Sequence, residues 1–275
     1  MISSKEISQL KQVPAEFSDA VGAELSQASI PWREAYSNYQ SGGWYVAQLL
    51  NSSGSTEQLR IDGGAPVPTP LLAQFPTIKQ MLHETELDVR IARLARISPG
   101  SWMHEHNDEA GIGEVRQRLH IPLVSNPQAV LCFDGTHVHL APGFMWKLDH
   151  ERVPHAAANY GEADRVHLIL DCRMNEALQH LIDAERISSD AVRLLPVLDD
   201  QARQELVSRA RNLIEEGDTQ AGEALLLETF CRYDLQGRSC YDLLLAAYEG
   251  VEGAEDRARL WRERLKEVRG REYYR

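Results

Sequence analysis

LDVRIARLARIS, residues 87–98, alternates apolar and polar side chains, and so long an alternation reads as a strand with one buried face. It opens a series. Short strand candidates follow at 118–124 (RLHIPLV), 129–133 (AVLCF), 136–140 (THVHL), 144–148 (FMWKL), 154–159 and 165–171 (RVHLILD). Their connectors include SNPQ, DG and APG, which are turn chemistry. Many short strands at regular spacing predict an antiparallel sandwich or barrel. Upstream, residues 36–51 read as a glycine turn leading into a strand, 69–85 have helical apolar spacing, and 5–40 are mixed and partly helical.

After Asp171 the pattern changes to helix. Helix-like segments follow one another: 174–187, 199–218, 219–234, 240–250 and 254–270. Asp200 and Thr219 are the expected N-caps, with Gly217 and Gly250 at helix ends. The chain therefore divides into a β-rich body, residues 1–190, and a C-terminal helical module, residues 191–275. No 34-residue repeat is evident, so a small capping bundle is expected rather than a solenoid. Leu206, Ile214, Leu225, Leu226, Leu243, Leu244 and Trp261 have helical spacing and must be buried, either against the body or in a homodimer.

A formal net charge of -12 disfavours nucleic acid and anionic membranes as partners. No run approaches a membrane span, and MISSKEISQLKQVPAEF lacks the continuous apolar core of a secretory leader. Four scattered cysteines without a CxxC pair fit reduced thiols in a cytoplasmic protein.

One stretch concentrates ligating groups. WMHEHNDEAG (102–111) holds His104, Glu105, His106 and Asp108, in a chain with only 10 histidines. On extended backbone, residues two apart share a side, so His106 and Asp108 form one candidate pair and His104 and His106 another. A third ligand must come from a distant strand, and His155 is the candidate. Two histidines and a carboxylate on one face leave coordination positions open, the donor set of non-haem Fe(II) oxygenases. Ten residues on, Arg165 carries a fork that can grip a carboxylate in bidentate fashion. His137 and His139 also alternate, but they lack a third partner and are expected to be surface or core residues.

Residues 99–171 carry a resemblance. Pro99-Gly100 precedes His106-x-Asp108; Arg118-Leu119-His120 runs into Ile121-Pro122-Leu123; then come Gly143, Trp146, Asp149, His155, Asn159, Arg165, His167-Leu168-Ile169 and Asp171. In order and spacing this set resembles the aspartyl/asparaginyl β-hydroxylase family of Fe(II)/2-oxoglutarate dioxygenases, which includes bacterial proline hydroxylases. The resemblance implies a mainly β protein with a double-stranded β-helix (jelly-roll, cupin-like) core. It implies Fe(II), 2-oxoglutarate and O2 as cofactor and cosubstrates. The register set by Pro99-Gly100 selects His106, Asp108 and His155 as the metal ligands, also taken as catalytic. Arg165 would take the distal 2-oxoglutarate carboxylate, with His120 and Arg118 assisting; Trp146, Asn159 and Asp171 would be architectural. The implied activity is hydroxylation of an unactivated C–H in an amino acid or amino-acid-derived small molecule. Hydroxylation of Asp, Asn or Pro in a peptide is the alternative, and a non-catalytic cupin-like binding protein stands third.

Overall fold

The computed structural model describes residues 5–59, 64–108, 116–183 and 189–269. In chain order the main strands are β1 (Ile7–Gln12), β2 (Trp44–Asn51), β3 (Asp88–Ile97), β4 (Arg116–Val124), β5 (Ala129–Phe133), β6 (Thr136–Val138), β7 (Phe144–Leu148), β8 (Ala156–Asn159), β9 (Arg165–Arg173) and β10 (Val192–Leu194). They form two antiparallel sheets. The larger runs β1-β7-β4-β9-β3-β2, with the short strands Arg33–Glu34 and Val67–Pro68 beside β2. The smaller runs β10-β6-β5-β8 and ends on Ser101–Trp102. From β3 to β9 the chain passes back and forth between the sheets, apart from the β5–β6 hairpin within the smaller one, in the order of a double-stranded β-helix, which encloses one interior.

Alternation sorts the side chains of the central strands. In β9, Leu168, Leu170 and Cys172 point outward into a core with Leu94, Leu119, Leu49, Phe75 and Ile78. That core is covered by helices α1 (Ala15–Gln27), α2 (Pro76–Glu84) and α3 (Glu176–Ile182). The intervening residues Arg165, His167, Ile169 and Asp171 take the opposite face, toward the interior between the sheets. There Ile169 packs with Trp44, Leu131, Phe133, Val138 and Trp146.

The outer face of the smaller sheet is covered in turn by α4 (Asp200–Glu215), α5 (Thr219–Leu227), α6 (Cys240–Tyr248) and α7 (Glu255–Arg269). Trp102, Val130, Cys132, Ala156 and Ala158 of that sheet share a core with Ile214, Leu226, Phe230, Leu244 and Trp261 of the tail. The helical stripe seen in the sequence is therefore buried on the barrel.

Several expectations shift. Residues 7–12, inside a segment read as partly helical, are an edge strand paired with β7. The 69–85 helix breaks into a short 3-10 turn, Pro70–Gln74, and α2, because Pro76 has no N–H to continue it and restricts Phe75 before it. The helix expected over 174–187 is described as Glu176–Ile182, and 184–187 lie outside the described residues. The N-caps sit one residue earlier than expected: Asp199 accepts from Ala202 N–H and Asp218 from Ala221 N–H. Beyond residue 190, Val192–Leu194 still belongs to the smaller sheet, and the tail helices start at Asp200. Among the described residues no helix is long and apolar enough to cross a membrane.

α4 and α5 approach closely at Gly222. Replacing an exposed helical glycine by alanine ordinarily stabilises by roughly 0.5–1 kcal/mol. Here a Cβ would lie 2.7 Å from the Ala210 carbonyl oxygen and 2.8 Å from Ile214 Cγ1, and the first of these is backbone. The clash should win. Gly222→Ala is expected to destabilise by about 1–3 kcal/mol, read as a lower urea midpoint at unchanged slope; an unchanged or raised midpoint would show that the helices part freely.

Candidate metal centre

Ser98-Pro99-Gly100-Ser101 turns the chain from β3 into the smaller sheet. Ser101 N–H reaches the Ser98 carbonyl at 3.2 Å, and Gly100 takes a positive φ of 72°, which glycine adopts without strain. Asn159 secures the turn: its carbonyl accepts from Gly100 N–H, and its side chain donates to the Ile97 carbonyl at 2.9 Å. From this fixed point the chain passes His104, bends at Glu105 and pairs again at His106, two residues before Asp108.

His106 and His155 face each other as a hydrogen-bonded backbone pair, each N–H donating to the other's carbonyl at 2.9 Å. Asp108 N–H donates to the His150 carbonyl at 3.0 Å. One ligand atom each of His106, Asp108 and His155 lies within 4.8 Å of the other two. Each imidazole is also oriented. His106 Nδ1 lies 2.8 Å from the His104 carbonyl and His155 Nδ1 lies 2.9 Å from the Val153 carbonyl. A carbonyl can only accept, so both Nδ1 atoms carry the proton and both Nε2 lone pairs are free for a metal. The two Nε2 atoms sit 3.7 and 3.9 Å from the Asp108 carboxylate. This donor set fits a divalent transition metal with open positions.

His104 lies outside the triad. It is buried, tilts against Trp102 at 5.2 Å between ring centroids, and donates its backbone N–H to Tyr39. Trp146 is core, as expected, and donates to the Ala141 carbonyl. His137 and His139 bind the carbonyls of Cys231 and Ala129.

Arg118 is placed differently from its expected role at the cosubstrate. Its guanidinium bonds the Asp108 carboxylate and, through Nε and Nη2, both oxygens of Asp171 at 2.7 and 3.3 Å. Arg93 lies 3.6 Å from the same Asp171. Asp171, read as architectural, is thus the counter-ion that holds Arg118 against Asp108, one of the candidate ligands. The carboxyls follow from this. Burial alone would raise Asp108, but Arg118 and the imidazoles of His106, His155 and His150 outweigh it and hold it far below the usual carboxylate range. Asp171 is held low in the same way, chiefly by Arg118 and Arg93 against burial.

Deeper in the interior is a second group. Arg165 is buried, with Nη2 2.8 Å from His167 Nδ1, and no carboxylate pairs with it among the described residues. Uncompensated burial pushes its guanidinium down to about 9, still charged at neutral pH. His120 Nδ1 lies 3.4 Å from His167 Nδ1, and the Nε2 atoms of both rings have no hydrogen-bond partner. Burial, then Arg165, keeps both rings neutral. A buried cation beside two imidazole nitrogens without partners has the chemistry to accept a small anion.

A double-stranded β-helix with a His-x-Asp and distal His triad beside an unpaired interior arginine defines a class of metal-binding jelly rolls. Within it, the chain belongs to the aspartyl/asparaginyl beta-hydroxylase family, whose sequence model matches residues 8–175. It is 27% identical over 196 residues to L-proline cis-3-hydroxylase 1 of a Streptomyces species, covering 68% of this chain and 66% of that protein. It is 28% identical over 178 residues to L-proline cis-3-hydroxylase 2 from Streptomyces, covering 62% and 59%. The chain thus spans just under two thirds of these relatives' length. Among solved structures, a 2OG-Fe(II) oxygenase family oxidoreductase from Burkholderia pseudomallei overlaps loosely, with a TM-score of 0.42, 12% identity, and coverage of 59% of this chain and 80% of that one.

Two expectations follow. In the metal-free protein, burial lowers His104 and His150 to about 4 and His155 to about 3, from an ordinary 6.5. Unfolding therefore takes up protons below about 6.5, so stability falls with decreasing pH from there toward the folded values, by at most about 1.4 kcal/mol per unit per histidine. Urea midpoints in EDTA should drop between about pH 7 and about pH 5, before carboxylates titrate; a flat midpoint would contradict the burial of these rings. Arg118→Met should cost about 3–5 kcal/mol by removing the guanidinium that bonds the buried Asp171 and the half-buried Asp108, measured by urea denaturation, and a loss under about 1 kcal/mol would show the cluster to be expendable.

Proposed function

We propose that this protein is a cytoplasmic Fe(II)- and 2-oxoglutarate-dependent dioxygenase that hydroxylates an unactivated C–H of a free amino acid or amino-acid-derived small molecule. The observation that carries the reading is the unpaired Arg165, buried in the same interior as the His106–Asp108–His155 triad. A dicarboxylate that chelates a metal at one end needs a cation for the other. The similarity to L-proline cis-3-hydroxylases supports a small amino-acid substrate. The four cysteines are free and buried, which agrees with a reducing compartment.

His106 and His155 would hold the iron through Nε2, and Asp108 through a carboxylate oxygen kept ionised by Arg118. Such a centre supplies what side chains cannot, O2-dependent hydroxylation of an inert C–H coupled to decarboxylation of 2-oxoglutarate to succinate. Arg165 takes the distal carboxylate of the cosubstrate through its fork, and His120 offers its unused Nε2 to a cosubstrate oxygen. The apolar walls around them exclude water, and the substrate must present one C–H to a fixed site.

Succinate release with Fe(II) and 2-oxoglutarate, screened over free amino acids with proline first and then over peptides, tests the reading. His106→Ala, Asp108→Ala and His155→Ala should abolish turnover, while His104→Ala keeps substantial activity. Arg165→Ala should raise the 2-oxoglutarate KM at least about tenfold, and Arg165→Lys should recover part of it because a lysine cannot form the fork. Unchanged 2-oxoglutarate dependence in both Arg165 variants would sink the assignment.

A further inference from the structure

The metal-bearing segment has a second face. His106 and Asp108 face the interior, whereas Glu105, at a bend just before His106, and Asn107 meet the helical tail. Glu105 is fully buried, and its carboxylate accepts from Ser239 Oγ at 2.6 Å and from Cys240 N–H at 3.0 Å, at the N-terminus of α6. Its backbone carbonyl accepts from the Tyr241 hydroxyl at 2.6 Å. Asn107 Nδ2 donates to the carbonyl of Val268 near the end of α7 at 3.4 Å. Tyr39, whose ring lies 5.9 Å from that of His106, donates its hydroxyl to Glu267 and carries the Arg264 guanidinium 3.8 Å above its face.

A buried carboxylate is costly, and apolar contact already fixes the tail to the smaller sheet through Trp102, Val130 and Ala158. What Glu105 adds is direction. Its bonds hold the backbone at a bend one residue before His106, and the direction in which the chain leaves that bend decides where His106 and Asp108 point. We propose that Glu105 is a positioning residue: held by the N-terminal end of α6, it fixes the orientation of His106 and Asp108, so that metal affinity depends on the helical tail. The proposal rests on the reading of His106, Asp108 and His155 as a metal site, and it assigns the tail a part in that site beyond covering the barrel.

Co(II) titration followed by visible absorption, alongside thermal melts, tests this on the full chain. The wild type should bind Co(II). Glu105→Ala should weaken binding at least about tenfold. Glu105→Gln, which keeps an acceptor oxygen for Ser239 and Cys240, should recover most of the affinity. Leu226→Ala, a cavity in the tail core away from the ligand segment, should lower the melting temperature but leave the Co(II) Kd within about a factor of three. Should Glu105→Ala not accumulate folded, Glu105→Asp, which shortens the reach to Cys240, replaces it in the comparison. Folded Glu105 variants that bind Co(II) as the wild type does overturn the positioning role. So does a loss of affinity that simply tracks melting temperature across the Glu105 and Leu226 variants. A wild type that takes no Co(II) overturns the metal reading itself, an outcome distinct from both.

Discussion

Arg118 is the interaction on which the site depends. Its strand, β4, lies beside β9 in a register that sets Arg118 opposite Asp171. The guanidinium spans from that carboxylate to Asp108, across the gap between the larger sheet and the ligand segment. Without it, the half-buried Asp108 would lose the largest of the charges that hold it ionised against burial, and Asp171 would keep only Arg93. The pair is not there for stability alone, since a buried ion pair seldom outperforms well-packed apolar groups. It keeps one candidate metal ligand, Asp108, charged and aimed.

Around this pair the interior has an uneven charge balance. Arg93, Arg118 and Arg165 are buried near the site, against Asp108 and Asp171. Arg93 and Arg118 share the two acids, and the surplus falls on Arg165. A buried guanidinium without a carboxylate partner among the described residues is costly. The triad and the surplus cation leave the interior two features that the chain itself does not complete, and the proposed dicarboxylate cosubstrate would engage both.

Much of this was legible in the sequence, and the misses have physical causes. Strands with strict alternation or short apolar runs between turn residues were readable almost to their ends, as at 129–133 and 144–148. Ile7–Gln12 was not, because ISQLKQ is short and polar and becomes a strand only by pairing with β7. His106, Asp108 and His155 were accessible because ligand spacing is a local property, and the distal histidine follows the resemblance. The partnership of Arg118 with Asp171 was not, since it depends on the register between strands 53 residues apart. Arg118 read as a free cation and proves to be a committed one.

Glu105 marks the limit of local reading most sharply. Its neighbours made it look like one more candidate ligand; it points to the tail, as alternation with His106 predicts, but a bend at Glu105 leaves His104 beside Trp102 on the tail side as well. Nothing nearby in sequence indicated what it would meet, because its partners, Ser239 and Cys240, lie more than 130 residues on. The density of polar residues in HEHND follows from this geometry. An extended segment between two layers has two faces to satisfy, and here one face supplies imidazole and carboxylate to the barrel interior while the other supplies a carboxylate and an amide to the helices. A segment with a single task would have shown alternation between polar and apolar residues; continuous polarity is what two buried polar surfaces require of one strand.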